Sequence, residues 1–342
     1  MESTSYILAG DVGATKTILA LFRLESARLV ATAEETFSSR AYAGLEEILQ
    51  EFRQRHQVRP THLCFGLPGP VVAGKAQLPN LEWKDGVAAD RVGEAVEGAP
   101  VTLLNDLEAT AYGLRLLSRE QFVVLNRGRP AAGANAALIA AGTGLGESIL
   151  FWDGQEHQPR ASEGGHCDFA PRTALEVEFF QYALAQLGHV SYDRVVSGNG
   201  LHLLYRFLHD TGRGEKPPWL GDKLTGEDPA AVIAEAALTQ KVPLCQQALQ
   251  MFVGIYGAEA GNLALKALAR AGLYVGGGIA PKVLPVLTGG EFMRAFTDKG
   301  RMASLMAEIP VQVVLDPRTA LLGAAYCAAR EAGWHVNTEQ RG

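Results

Sequence analysis

Clusters of basic residues are absent from this sequence, and its formal net charge is −6 with a pI near 5.8. A chain without a basic patch has no electrostatic reason to bind nucleic acid, so we expect a small-molecule partner. Long apolar runs are absent too. The longest stretches without a charged residue, 130–146 and 242–258, are shorter than a bilayer span and contain Gly, Asn or Gln. The sequence therefore predicts no membrane helix and no membrane partner.

Cysteine is scarce, with four residues and no C-x-x-C pair. This spacing predicts reduced thiols rather than a disulfide framework or a structural zinc site. The first residues lack the basic region and the cleavage site of a secretory signal. We therefore expect a cytoplasmic protein.

Glycine is the residue type present in unusual number, with 38 among 342 residues. Glycine permits tight turns and lets a ligand approach the backbone closely. The length exceeds the size at which one hydrophobic core usually stops growing, so we expect two lobes.

The segment GDVGATKT, residues 10–17, nearly matches the Walker phosphate loop G-x-x-x-x-G-K-[ST], but Thr15 stands in place of the second glycine. A Walker loop must begin a helix, whose first amides bind the phosphates. Here the following TILALF, residues 17–22, is rich in strand-forming residues. The pattern predicts a β-hairpin and argues against a Walker loop.

A second copy of this pattern occurs in ALIAAGTGLGESILFW, residues 137–152. Gly13 aligns with Gly144 and Thr17 with Ser148, at a constant offset of 131 residues. Two similar hairpins, one in each half of the chain, indicate a duplicated domain. Two glycine-rich turns of this kind offer backbone N–H groups to a triphosphate, although either turn alone is also an ordinary β-turn.

The rest of the chain alternates strands and helices, which is typical of an α/β fold. Strands are predicted at 62–66 and 101–104, and helices at 44–56, 90–95, 174–187, 200–209, 230–241 and 244–271. A further strand leads into the glycines of LYVGGGIAP. The final segment, 311–330, is predicted as strand, turn and helix, and it packs on one lobe or the other.

Three segments carry polar side chains in positions suited to chemistry. Asn105 and Asp106 follow an apolar strand and begin a helix, where one of them is expected as a helix cap and the other is available for catalysis. Glu163, His166 and Asp168 lie in the glycine-rich loop SEGGHCDFAP and suit the hydroxyls of a sugar. A metal site at His166 and Cys167 is the alternative, which is disfavoured because adjacent residues rarely converge on one ion. Asn80, in a Pro/Gly-rich segment, is either a hydroxyl contact or a turn residue.

Ten motifs between Gly10 and Ala325, among them GDVGATKT, LLNDLEATAYG, GTGLGESIL, SEGGHCDFAP and GGGIAP, make the chain resemble the bacterial ATP-dependent glucokinases. These enzymes belong to the actin-like (ribonuclease-H-like) sugar kinase superfamily. The resemblance implies an α/β fold with two duplicated lobes and a central cleft. It implies a small domain of residues 1–113 and 317–334, a large domain of residues 114–316, and a flexible tail at 335–342.

The resemblance also implies the reaction and the residues that serve it: ATP phosphorylates D-glucose, which feeds glycolysis, with Mg²⁺ as the metal. Asp106 would be the general base on the 6-hydroxyl. The sugar would be held by Asn80, Asn105, Glu163, His166 and Asp193. ATP would be bound by Gly10, Asp11, Val12, Gly13, Ala14, Thr15, Lys16, Gly142, Thr143, Gly144, Gly276, Gly277 and Gly278, with Asp11 holding Mg²⁺ directly or through water. A homodimer is implied as well.

The chain departs from this family at Asp193, where Glu is usual. Because Asp is one methylene shorter, sugar selectivity is open at this position, and a kinase for another hexose or an N-acylhexosamine is the alternative. The zinc-binding cysteine cluster of related repressor and kinase families is absent, which favours the non-zinc group. A sugar-sensing regulator would need a DNA-binding module before the first strand, and we expect none.

Overall fold

The computed structural model describes residues 5–78 and 80–338. Its contacts divide the chain into one unit of Met1–Glu120 with Asp316–Gly342 and a second unit of Gln121–Leu315. No helix within the described residues is both long and apolar enough to cross a membrane.

The first unit contains eight strands among the described residues: β1 (Ile7–Val12), β2 (Lys16–Glu25), β3 (Arg28–Ser38), β4 (His62–Leu67), β5 (Val71–Val72), β6 (Lys75–Ala76), β7 (Val87–Ala88) and β8 (Val101–Asn105). Five of them form its main sheet, in the order β3-β2-β1-β4-β8. Strands β1, β4 and β8 are parallel, whereas β1, β2 and β3 form an antiparallel meander. The short strands β5, β6 and β7 form a separate small sheet.

The helices of the first unit begin with α1 (Leu45–His56), α2 (Ala89–Ala95) and α3 (Asp106–Gly113). Helix α1 buries Leu45, Ile48, Leu49 and Phe52, an i, i+3, i+4, i+7 set that lies on one face. Short 3-10 turns at Ser39–Ala41 and Leu114–Leu116 follow β3 and α3.

The second unit repeats the same arrangement. Its strands are β9 (Phe122–Asn126), β10 (Ala136–Ala141), β11 (Leu145–Trp152), β12 (His157–Ser162), β13 (Gly272–Gly276) and β14 (Val311–Val314). The order β12-β11-β10-β13-β14 again combines an antiparallel meander with parallel strands, and β9 is added at the edge. The predicted duplication is therefore present in the topology.

Nine helices among the described residues belong to the second unit: α4 (Ala174–Leu187), α5 (Tyr192–Val195), α6 (Gly198–Asp210), α7 (Pro218–Gly226), α8 (Pro229–Leu238), α9 (Pro243–Ala267), α10 (Leu284–Leu287), α11 (Glu291–Thr297) and α12 (Ala303–Glu308). Three-residue 3-10 turns lie at Arg119–Gln121, Gly164–His166 and Gly300–Met302. Helix α9 buries 17 of its 25 residues and belongs to the core of the unit.

The predicted helix 244–271 is too long at its carboxyl end. Leu268 has φ +46° and caps α9 in the left-handed conformation, so the helix stops at Ala267. The predicted helix 230–241 is also too long, because α8 ends at Leu238 and Lys241 has φ +57°.

The final segment divides between the two units, instead of packing on one of them. Strand β14 pairs with β13 in the second unit, whereas the helix that follows, α13 (Thr319–Glu331), packs in the first unit. There Gly113 lies against Thr319, since a Cβ at Gly113 would come within 1.9 Å of the Thr319 carbonyl oxygen.

The structure places residues 114–120 in the first unit, whereas the sequence assigned them to the large domain. The Arg115 guanidinium lies over the rings of Tyr112 and Tyr326 and donates a hydrogen bond to the Tyr326 hydroxyl, which ties this segment to α3 and α13. The tail expected to be flexible from residue 335 packs at its beginning: Val336 is buried and the Asn337 N–H donates to the Ala27 carbonyl. Residues 339–342 lie outside the described residues.

Candidate active site

In the first unit, the carboxyl ends of three parallel strands bring three of the predicted site residues to one edge of the sheet. Asp11 of β1 is in register with Gly66 of β4, and Leu67 of β4 with Asn105 of β8. Asp106 follows Asn105 directly, and the Asp106 Cα would lie 3.7 Å from a Cβ placed at Gly66. Ligands of α/β sheets bind at this edge.

Asn105 serves as the cap of α3. Its Oδ1 accepts from the Leu107 N–H at 2.8 Å, and Glu108 completes a capping box by accepting from the Asn105 N–H. The Asn105 side chain also donates to the Gly69 carbonyl at 3.0 Å. Asp106 is the first residue of the helix and is half-buried, and its Oδ1 accepts from the same Leu107 N–H. Because Asn105 caps the helix, the Asp106 carboxylate is not required for that purpose.

The first hairpin turns at Ala14 and Thr15, with the Gly13 N–H donating to the Lys16 carbonyl at 2.9 Å. Thr15 and Lys16 are exposed. By contrast, Gly10 and Val12 are buried within the sheet. A Cβ at Gly10 would lie 2.4 Å from the Phe65 ring, so this glycine is required by packing.

Asp11 lies half-buried at the end of β1. Burial raises the pKa of its carboxyl to about 6, while the charge of Lys16 acts in the opposite direction. A carboxylate that is costly to ionise in the protein alone gains from a bound cation.

The second hairpin turns at Thr143, where the Gly142 N–H donates to the Gly144 carbonyl at 2.8 Å. The alignment of Gly13 with Gly144 predicted from the sequence is therefore wrong for the turns themselves. Gly13 precedes the first turn, whereas Gly144 follows the second. The second hairpin is held from α5, because Asp193 Oδ1 accepts from the Leu145 N–H at 2.8 Å. A Cβ at Gly144 would lie 2.4 Å from the same oxygen.

The glycines that follow β13 lie next to this hairpin. Strands β10 and β13 are parallel, with Ala140 in register with Gly276. Gly277 has φ +84°, and a Cβ there would lie 2.3 Å from the Ala141 carbonyl oxygen. Nothing described lies within 4 Å of a Cβ position at Gly278, so its backbone is open to a ligand.

Glu163 precedes the 3-10 turn Gly164–His166, which follows β12, and His166 is the last residue of that turn. Both side chains are exposed, with 3.7 Å between His166 Nε2 and Glu163 Oε2. The Cys167 carbonyl accepts from the Tyr192 N–H at 3.0 Å, so the same segment that carries Asp193 also supports this loop.

Asn80 is exposed in a turn of the first unit. Its neighbours line a pocket of about 470 Å³, formed by Gln77, Leu78, Leu81, Glu82, Trp83 and Lys84. The preceding residue, 79, lies outside the described residues.

Sequence reasoning missed two sets of supporting residues. Buried Ser39 donates to the Gly13 carbonyl at 2.7 Å and lies 3.0 Å from the Thr17 hydroxyl, which braces the first hairpin. Glu147 and Glu259 are buried carboxyls, and Glu147 lies against Gly164 in the loop of Glu163 and His166. A charged residue inside the apolar strand ESILFW was the available signal for Glu147.

The sequence matches known proteins over most of its length. The family model described as Glucokinase matches residues 8–331. The chain is 42% identical to a glucokinase of Synechocystis sp., over 94% of this chain and 98% of that protein.

Solved structures show a similar fold. A glucokinase from an Antarctic psychrotroph has a TM-score of 0.81 at 28% identity, covering 96% of this chain and 100% of that one. A ROK family glucokinase from Streptomyces griseus, solved in complex with glucose and AMPPNP, has a TM-score of 0.64 at 20% identity and covers 95% of this chain and 100% of that one.

Proposed function

Because this chain belongs to the glucokinase family, we propose that it transfers the γ-phosphoryl group of ATP to the 6-hydroxyl of D-glucose, giving ADP and glucose 6-phosphate. The resemblance stated from the sequence and the actin-like α/β sugar kinase fold are both confirmed. The observation that carries the proposed mechanism is the placement of Asp11, Asn105 and Asp106 at one edge of the first sheet.

Asp106 is the proposed general base. Its carboxylate accepts the proton of the 6-hydroxyl as that oxygen attacks the γ-phosphorus and the bond to the ADP oxygen breaks. The capping of α3 by Asn105 supports this role, because Asn105 and Glu108 already form the capping box and the Asp106 carboxylate shares only the Leu107 N–H with it. Fixing the base matters because catalysis of this kind depends on position.

The sugar hydroxyls are assigned to Asn80, Asn105, Glu163, His166 and Asp193. Exposure of the Glu163 and His166 side chains supports this assignment, since both present hydrogen-bonding groups to solvent. Two of the five are partly engaged within the protein, because Asn105 caps α3 and Asp193 accepts from Leu145.

The phosphates of ATP are assigned to the two hairpin turns, and the adenosine to the glycines after β13. The open backbone at Gly142 and Gly278 supports this, because nothing described lies within 4 Å of a Cβ position at either residue. Backbone N–H groups in such turns bind anions without a side chain. Gly10 and Val12, which are buried, contribute to the first turn by shaping it.

Magnesium fits the first unit at Asp11. An oxygen ligand at the strand end, desolvated and close to a phosphate-binding turn, is a suitable donor for this hard cation. Asp11 would hold the ion directly or through water, and the ion would neutralise charge on the phosphate oxygens. A homodimer remains a prediction drawn from the family, and a cytoplasmic location remains a prediction of the sequence analysis.

The alternative is a kinase for another hexose on the same fold. One observation favours it: the Asp193 carboxylate accepts a hydrogen bond from the Leu145 N–H. Asp193 is also shorter than the usual Glu, so its side chain reaches less far toward a sugar.

The two are distinguished by ADP release from Mg·ATP with glucose, mannose, fructose, glucosamine and N-acetylhexosamines at equal concentration. We expect a strong preference for glucose. Preference for another sugar would keep the mechanism and change the substrate, whereas no turnover with any sugar would contradict phosphoryl transfer to hexoses. The Asp193→Glu variant, assayed in parallel, shows whether the family's usual residue alters the order of preference.

A further inference from the structure

Two carboxyl side chains lie deep in the second unit and have no part in the mechanism above. Glu147 of β11 is 1% exposed and Glu259 of α9 is 0% exposed, and the two interact with each other. A pair of buried carboxylates is costly, and such pairs usually hold one proton between them.

The two carboxyls differ in their partners. Glu259 accepts from the Asn262 side chain at 2.8 Å and lies 3.5 Å from Lys266 Nζ. By contrast, Glu147 Oε1 is buried and finds no hydrogen-bond partner among the described residues. Because a buried carboxylate oxygen without a donor is unfavourable, the proton of the pair belongs with Glu147.

The pair lies directly beneath the loop that carries Glu163 and His166. A Cβ at Gly164 would come within 2.1 Å of Glu147 Oε2, so the carboxyl touches the backbone of the 3-10 turn. On the other side, the Tyr192 hydroxyl interacts with Glu259, and the Tyr192 N–H donates to the Cys167 carbonyl. Both carboxyls are thereby linked to the loop.

We infer that Glu147 and Glu259 share one proton and that this pair positions the Glu163–His166 loop for the sugar. Glu147 is thus a positioning residue, and the inference rests on the sugar-binding role proposed for the loop. With one proton the pair carries a single negative charge, which Lys266 and the Asn262 amide accommodate. When the shared proton is lost, the two carboxylates repel each other. Because Glu147 lies against the turn at Gly164, this repulsion displaces the loop.

The other titratable and charged groups that face the pair come from several elements: Tyr192 of α5, Tyr256 and Lys266 of α9, and Lys299 after α11. Glu163 and His166 of the loop above are exposed. Burial raises the pKa of Tyr192 and of Tyr256, so neither loses its proton near neutrality. Burial, and next to it the charge of Arg172, lowers the pKa of Lys299, so the test must separate Lys299 from Glu147.

The expected titration lies on the alkaline side. Burial, and then the charge of Glu259, raises the pKa of Glu147 to about 8, while Lys266 acts in the opposite direction. The pair therefore keeps its proton at neutral pH and loses it above pH 8. Glucose affinity should fall there, whereas the KM for ATP should change less, because the loop is not assigned to ATP.

The test compares wild type with Glu147→Gln, which is isosteric and cannot ionise, across pH 6.5 to 9.5. We expect the wild-type KM for glucose to rise severalfold above about pH 8. The KM for glucose of Glu147→Gln should stay constant over the same range. Because both proteins contain Lys299, a difference between them does not come from Lys299. The same alkaline rise in both proteins would overturn the inference. Glu178→Gln, an exposed change on α4, is the matched control and should follow wild type.

A second readout does not depend on turnover. Amide hydrogen exchange of residues 164–167, corrected for its intrinsic pH dependence, should accelerate above about pH 8 in wild type and not in Glu147→Gln. Equal exchange in the two proteins would also contradict the inference. Failure of the proposed function has a different signature, namely no glucose-dependent ADP release by wild type at any pH.

Discussion

The carboxylate of Asp193 holds the second hairpin, because its Oδ1 lies 2.8 Å from the Leu145 nitrogen and accepts that N–H. The same oxygen occupies the space that a side chain at Gly144 would need. A residue expected from family resemblance to contact the sugar is therefore also bonded to the turn assigned to the phosphates.

Replacement of Asp193 should accordingly affect ATP. Asp193→Ala removes the acceptor of the Leu145 N–H, and a hydrogen bond to a charged group contributes about 1.5–3 kcal/mol. We expect the KM for ATP, measured at saturating glucose, to rise about tenfold or more. Asp193→Asn retains an oxygen acceptor and should change this KM less than threefold. An unaltered KM for ATP in Asp193→Ala would show that the bond does not support the hairpin.

The close approach of Asp193 to Gly144 predicts that alanine lowers the Tm at position 144 but not at position 142. Gly144→Ala places a Cβ 2.4 Å from Asp193 Oδ1, and overpacking of this kind costs about 1–3 kcal/mol. Its Tm should fall by several degrees. Gly142→Ala is the matched control, because its Cβ meets nothing described within 4 Å and its Tm should remain unchanged. Equal Tm values for the two variants, by differential scanning calorimetry, would contradict this packing.

Much of the fold was predictable from sequence. The turn between β1 and β2, the β/α alternation and helix α4 follow from local patterns, and the duplicated hairpin anticipated the two similar sheets. Contacts between residues far apart in sequence were not predictable. Nothing local shows that Glu147 meets Glu259, that Asp193 reaches Leu145, or that β14 and α13 belong to different units. The left-handed cap at Leu268 was missed because leucine usually continues a helix.

The raised pKa of Glu147 predicts how stability varies with pH. Between the ordinary value of 4.5 and about 8, the unfolded chain has released this proton while the folded chain keeps it. The free energy of unfolding therefore falls as pH rises through this window. Glu147→Gln lacks the effect, so its stability relative to wild type should increase from pH 5 to pH 8 in urea unfolding. A difference independent of pH would contradict the buried titration.

Removal of the Asp11 carboxylate should separate activity from stability. Asp11→Asn has no charge to desolvate, so its Tm should equal or exceed that of wild type. Because it is a poorer ligand for Mg²⁺, the magnesium concentration for half-maximal activity should rise about tenfold or more. The measurement is a magnesium titration of ADP release together with a thermal melt. Lower Tm with an unchanged magnesium requirement would assign Asp11 to the fold instead.

The measurement that tests the central claim most directly is glucose-dependent ADP release by Asp106→Asn. Loss of a general base lowers turnover by about 100-fold to 10,000-fold. We predict a fall of that size, with Tm unchanged and the KM for glucose within about threefold of wild type, since a base acts in the transition state. Asp85→Asn, which alters an exposed carboxylate of the same unit, should retain wild-type turnover. Turnover by Asp106→Asn within tenfold of wild type would contradict its assignment as the base.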